Sequence, residues 1–325
     1  MTKRFWYHFA VSAALVLAVT AFMWVRGRSP GTDVHGAAPA SVAYRIAVVL
    51  ACVAFLFVFA RLLLRVTGSD RATGLLGLYA ASLYLPFVTV VTGSATYPLA
   101  LLAVAAGVLE ILDVNISPAN AVRSGLYMSA GCALAPICIV VVAALVPVAI
   151  VASRRRWWLS LPFLLAAGIP WALATAVPGL SSHVKSFLTL RGATVPGSVG
   201  AWVSALADHA RIVRLLWESD FLWTYGAFAF VGVIVASVRP MGPSRRGIAA
   251  AAWLLLVVTV SEALLDDENT RLLAPVGFVL LILLSNAGLA ALAAMNPLHA
   301  GRRRMIPVGA FFLVPPIIGW VRLFV

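Results

Sequence analysis

Charge is scarce in this sequence. Only 11% of its 325 residues are Asp, Glu, Lys or Arg, against 62% that are hydrophobic, with a mean hydropathy of +1.01. A chain so poor in charge would expose far more apolar surface in water than a soluble domain tolerates, which excludes a soluble globular protein. Short alternating apolar segments are missing too, and with them the signature of an outer-membrane barrel. Cysteine is scarce: Cys52, Cys132 and Cys138 all fall inside apolar runs without metal-ligand spacing, so they read as small hydrophobic residues. Acidic residues number 11 against 24 Lys and Arg, leaving a formal charge of +13. No aromatic-basic platform or polar domain accompanies that excess, so it does not point to a nucleic-acid partner.

What is present is a series of apolar runs of about 17 to 25 residues, the length of a helix that crosses a bilayer core. The fold class this predicts is all-α: a polytopic helical membrane protein, with residues 1–325 forming a single integral-membrane domain. The basic residues sit in small clusters between the runs. These are Lys3 and Arg4; Arg61, Arg65 and Arg71; Arg154 to Arg156; Arg239, Arg245 and Arg246; and Arg302 to Arg304. Such clusters mark the cytoplasmic side.

In order, the expected spans are about Trp6 to Val25, Ala43 to Leu64, Gly74 to Thr92 and Leu99 to Leu112. The first is read as uncleaved, because its apolar run is long and no small-residue cleavage site follows. A polar loop with Asp113, Asn115 and Arg123 comes next, and Glu110 and Asp113 are expected to pair with Arg123. Ser124 to Ser153 reads as two short helices broken near Pro136, since only that reading returns Arg154 to Arg156 to the side of the other basic clusters. Trp158 to Val177, Phe221 to Val238, Ile248 to Leu264, Leu272 to Leu292 and Ile306 to Val325 complete about eleven spans. This topology puts the N-terminus in the cytoplasm and the C-terminus outside. It leaves external loops at 26–41, 178–220 and 265–271.

Within 178–220, the residues Val199, Trp202, Val203, Leu206, Ala210, Val213 and Leu216 recur at helical spacing, with Asp208, Arg211 and Glu218 roughly opposite. That pattern predicts an amphipathic helix lying on the outer surface, and makes 199–217 a candidate docking element for a membrane-protein partner. All acids except Asp70, Glu110 and Asp113 fall on the outer side, which makes that face the place for chemistry. The densest cluster is Asp266, Asp267, Glu268 and Arg271, read as a turn capped by Asn269 or Thr270 and leading into a long apolar helix. A structural role explains such a turn as well as a functional one does, because acids before a helix are stabilised by its N-terminal dipole. A divalent cation on Asp266, Asp267 and Glu268 is chemically reasonable. It is not favoured, because consecutive acids on a short turn seldom converge, so no metal site is assigned and no organic cofactor is expected.

Several local patterns resemble the GT-C superfamily of integral-membrane glycosyltransferases, which take sugars from polyprenyl-phosphate carriers. GLYMSAGCALAPICIVVVAALVPVAIVASRRRWW resembles that family's glycine-containing short-helix hairpin ending in arginines. GIPWALA resembles its Pro-Trp span end, and ENTRLLAPVGFVLLILLSNAGL resembles its Arg-Tyr-Leu-Leu-Pro span start. The order and placement are similar as well. The chain departs from the family in its first external loop, which is short, in Asp33 being followed by Val34 rather than an acid, and in Arg271 being followed by Leu272 rather than Tyr.

The resemblance implies transfer of a sugar from a polyprenyl-phosphate carrier to an acceptor at the outer face of the inner membrane. Asp33 is then the candidate catalytic base, as the sole carboxylate of the first loop, with His35 as the fallback. An ordinary turn at Pro30-Gly31 accounts for Asp33 equally well. Arg271, at a helix start, is the candidate cation for the departing phosphate, with Glu268 beside it. Lys185, Arg191 and Arg211 are candidate phosphate contacts from the large loop, where lipid headgroups would also hold them. Two other classes stay open. A non-catalytic membrane subunit or assembly scaffold suits the short first loop. A lipid or sugar transporter or flippase would need midplane charge and repeated halves, which the sequence does not display.

Overall fold

The computed structural model describes residues 3–25, 42–66, 71–83, 96–112, 117–135, 138–152, 157–176, 198, 200–201, 203–204, 225–227, 229–231, 234, 245–262, 267–294, 313–314, 316–318 and 321. Every regular element among the described residues is helical. The long helices are α1 (Lys3–Val25), α2 (Val42–Val66), α3 (Arg71–Leu83), α4 (Thr96–Ile111), α5 (Pro118–Leu134), α6 (Ile139–Ala152), α7 (Ser160–Ala176), α8 (Arg245–Glu262) and α9 (Asp267–Ala294). A 3₁₀ turn, Trp157–Leu159, precedes α7. Phe5–Phe22 and Ile46–Val66 are long and apolar enough to cross a membrane, and five more apolar helical stretches run 10–17 residues. Of the other expected spans, Gly74 to Thr92 is described as far as Leu83, and Phe221 to Val238 and Ile306 to Val325 lie largely outside the described residues.

The chain divides into two compact units. The first comprises Met1–Pro98, Arg214–Ala252 and Phe278–Val325. Here α1, α2 and α3 pack on one another. α2 buries Val48, Cys52, Phe55, Phe59, Leu62, Leu63 and Val66, a spacing of three and four that draws one continuous stripe along the helix. Phe57 receives three aromatic rings from α1: Trp6 stacks on it at 5.7 Å, while Phe5 and Phe9 meet it edge-on. Two buried hydroxyls use their own helix backbone, Thr20 donating to the Val16 carbonyl and Ser82 to that of Leu78. Such back-bonding lets a polar side chain sit in an apolar layer without a desolvated donor.

The second unit comprises Leu99–Val213 and Trp253–Gly277. Its most extensively packed pair is α5 against α7. α5 buries mostly small residues, Ala121, Ser124, Gly125, Ser129, Gly131 and Cys132 beside Met128, which lets neighbouring backbones approach it closely. Gly125 is the closest point, where an added Cβ would strike the Phe163 carbonyl oxygen. On its other side α5 meets α4, where the Ser124 hydroxyl donates to the Gly107 carbonyl at 2.8 Å. α7 turns Leu161, Leu164, Leu165, Ile169 and Leu173 outward, an apolar stripe opposite its packed face.

One local boundary departs from the sequence expectation and another follows it. Arg123 belongs to α5, not to a loop, because Ser117 caps that helix and Pro118 occupies its first position; the Ser117 Oγ accepts from the Asn120 N–H at 3.2 Å. The expected break near Pro136 is present. α5 stops at Leu134, the Ala135 N–H closes on the Gly131 carbonyl at 2.9 Å, and the chain is extended at Ala135, the conformation a following proline favours.

Candidate functional site

Of the expected outer face, the described residues include the helix ends that flank 263–266 and a few residues of 178–220. Only residues 263–266 separate the end of α8 at Glu262 from the start of α9 at Asp267. The expectation of a turn over the acids, capped by Asn269 or Thr270, is corrected here, since Asp267 to Thr270 are already helical. Acidic residues favour the first turn of a helix through its dipole, which accounts for the earlier start. Arg271 therefore lies one turn inside α9, at the i, i+4 position from Asp267. An acid four residues before a base is the favourable order on a helix.

Of the other predicted site residues, Asp33, His35, Lys185, Arg191 and Arg211 lie outside the described residues, as do the side chains of Glu268 and Arg271. The expected surface helix at 199–217 is described only at its start. Gly200, Ala201, Val203 and Ser204 are helical, Ser198 caps them through its Oγ and the Ala201 N–H at 3.2 Å, and Val203 is exposed. The expected pairing of Glu110 with Arg123 is present at 3.3 Å, and Asp113 lies outside the described residues.

Two polar contacts and one close approach within the apolar helices carry no local signal in the sequence. His8 Nδ1 and the Tyr79 hydroxyl share a hydrogen bond of 2.5 Å between α1 and α3. The Ser285 hydroxyl reaches the Tyr225 carbonyl at 2.5 Å, with the Leu281 carbonyl of its own helix at 2.7 Å. Asn286, fully buried in α9, lies against α3 so closely that a Cβ on Gly77 would come 2.5 Å from its Nδ2. Each joins residues far apart in sequence, and nothing in local periodicity marks them.

In the second unit, Trp253 of α8 donates its indole N–H to the Ala144 carbonyl of α6 at 2.9 Å. Among the described residues no group of three or more His, Cys, Asp or Glu is placed to hold a metal ion. No family model matches the chain, and neither a curated protein nor a solved structure matches it either.

Proposed function

We propose that this chain is a multi-pass protein of the inner membrane, with a cytoplasmic N-terminus. In this reading it transfers a sugar from a polyprenyl-phosphate carrier to an acceptor at the outer face. The observation that carries the reading is the construction of α9. Its 28 residues rise about 42 Å, whereas a bilayer core is about 30 Å thick. The apolar length from Leu272 to Leu292 fills the core, and the surplus is the charged first turn. In this reading Asp267, Glu268 and Arg271 stand at a membrane surface, where a lipid phosphate lies. Support for multiple spans comes from the outward-facing Leu161, Leu164, Leu165, Ile169 and Leu173 of α7, a cost in water and none in lipid.

In the proposed reaction the Asp33 carboxylate accepts the proton of an acceptor hydroxyl as that oxygen attacks the anomeric carbon of the sugar. The bond from that carbon to the phosphate oxygen breaks, and polyprenyl phosphate leaves with the electron pair. Arg271, beside the amide N–H groups that open α9, stabilises the departing charge. Lys185, Arg191 and Arg211 supply further cationic contacts to the phosphate, and His35 is the alternative proton acceptor. The test is transfer of radiolabel from a panel of polyprenyl-phosphate sugars by the purified protein in lipid, with Asp33→Asn beside it.

A second reading, a non-catalytic membrane subunit docking through 199–217, is favoured by the shortness of the 26–41 loop. It predicts no transfer by the purified chain and stable capture of a membrane-protein partner that is lost when Val203 is replaced by Asp.

A further inference from the structure

We infer that Trp253 is a positioning residue: it pins α8 to the turn of α6 that holds Pro147, and thereby sets where the end of α8 at Glu262 stands. The inference deepens the reading above, on which its functional consequence rests. Pro147 lies inside α6 and has no N–H, so the Ala143 carbonyl one turn earlier has no helical donor. Ala144 is the next carbonyl in the same turn. In an apolar layer no water is at hand to satisfy a disturbed turn, and donors from neighbouring helices take that role. Trp253 is such a donor, 109 residues away in sequence, and its indole N–H reaches the Ala144 carbonyl at 2.9 Å.

The pinned point is mechanically connected to that helix end. Between Gly247 and Glu262 the helix α8 contains neither proline nor glycine, so it behaves as a stiff rod. Trp253 lies about 14 Å along that rod from Glu262 at the ordinary helical rise. Releasing the indole frees α8 to rotate or slide on α6, and a small displacement at the pin is carried to the helix end. A displacement of about 1 Å is enough to cost a site much of its effect.

The experiment uses the full chain in lipid nanodiscs, with Cys52, Cys132 and Cys138 replaced by Ala and a nitroxide spin label on Ser261→Cys near the end of α8. Trp253→Phe keeps the ring and removes the donor; Pro147→Ala restores the missing N–H to the turn of α6. The pin predicts a more mobile label in Trp253→Phe, and a Tm lower by on the order of 2 °C. It also predicts that Trp253→Phe costs less in the Pro147→Ala background, a non-additive cycle. With undecaprenyl phosphate as the probe, Trp253→Phe weakens binding by up to about tenfold. Unchanged label mobility, or strictly additive effects of the two substitutions, overturns the pin. A mobile label combined with no binding of undecaprenyl phosphate by the wild-type chain upholds the pin and overturns the transferase reading.

Discussion

Gly125 faces the backbone of Phe163 with no room for a side chain: a Cβ placed on it would meet the Phe163 carbonyl oxygen and lie 2.7 Å from the Cβ of Ala166 and 3.0 Å from the Ala167 nitrogen. Backbone atoms cannot swing aside as a side-chain end can. The close approach of α5 and α7 therefore depends on this position. Gly125→Ala is expected to cost about 1–3 kcal/mol through forced separation of the helices, measured as a drop in Tm. The control is Gly168 of α7, whose added Cβ would meet nothing within 4 Å. Gly168→Ala is expected to be neutral or stabilising by up to about 1 kcal/mol, through helix propensity alone.

The His8 and Tyr79 contact makes a different prediction. It joins α1 to α3 in a partly buried setting, at 2.5 Å. Tyr79→Phe removes one donor or acceptor and keeps the ring, so it is expected to destabilise by about 1 kcal/mol. A double-mutant cycle with His8→Phe should recover most of that loss as interaction energy, since replacing both partners leaves no orphaned polar group.

Arg123 and Glu110, by contrast, are expected to matter little. They approach to 3.3 Å, but the Arg123 side chain is 54% exposed, and a pair open to water is screened. Arg123→Gln should shift Tm by no more than the scatter among other surface substitutions, and by less at high salt. A large loss would mean that this pair lies in a far less polar environment than its exposure implies.

Much of the fold could be read from the chain because hydropathy and proline act locally. Trp6 to Val25 and Ala43 to Leu64 lie inside α1 and α2, and the break near Pro136 falls where proline bars a helix from continuing. Local competition explains the misjudged ends. The polar run around Arg123 reads as a loop, but the Ser117-Pro118 cap starts the helix before it. The acids at 266–268 read as a turn, but the dipole favours acids inside a helix start, and α9 begins at Asp267. Trp253, His8, Ser285 and Asn286 were beyond reach for another reason: their partners are set by how helices pack, which no local pattern encodes.

The topology is testable apart from any activity. Alkaline phosphatase fused after residues 35, 200 or 266 is expected to be active, and inactive when fused after 155 or 243, because the enzyme matures only outside the cytoplasm and the basic clusters stay inside. A protein with only α1 and α2 in the membrane would instead give the same result at every fusion after residue 66.

Radiolabel transfer from polyprenyl-phosphate sugars by the purified chain, wild type beside Asp33→Asn and Arg271→Ala, is the measurement closest to the central claim. The account predicts transfer by the wild type, a fall of about a hundredfold or more in Asp33→Asn, and a similar fall in kcat in Arg271→Ala from loss of charge stabilisation at the leaving phosphate. Transfer that persists undiminished in both variants, or its absence with every donor from a folded, monodisperse protein, would contradict the account.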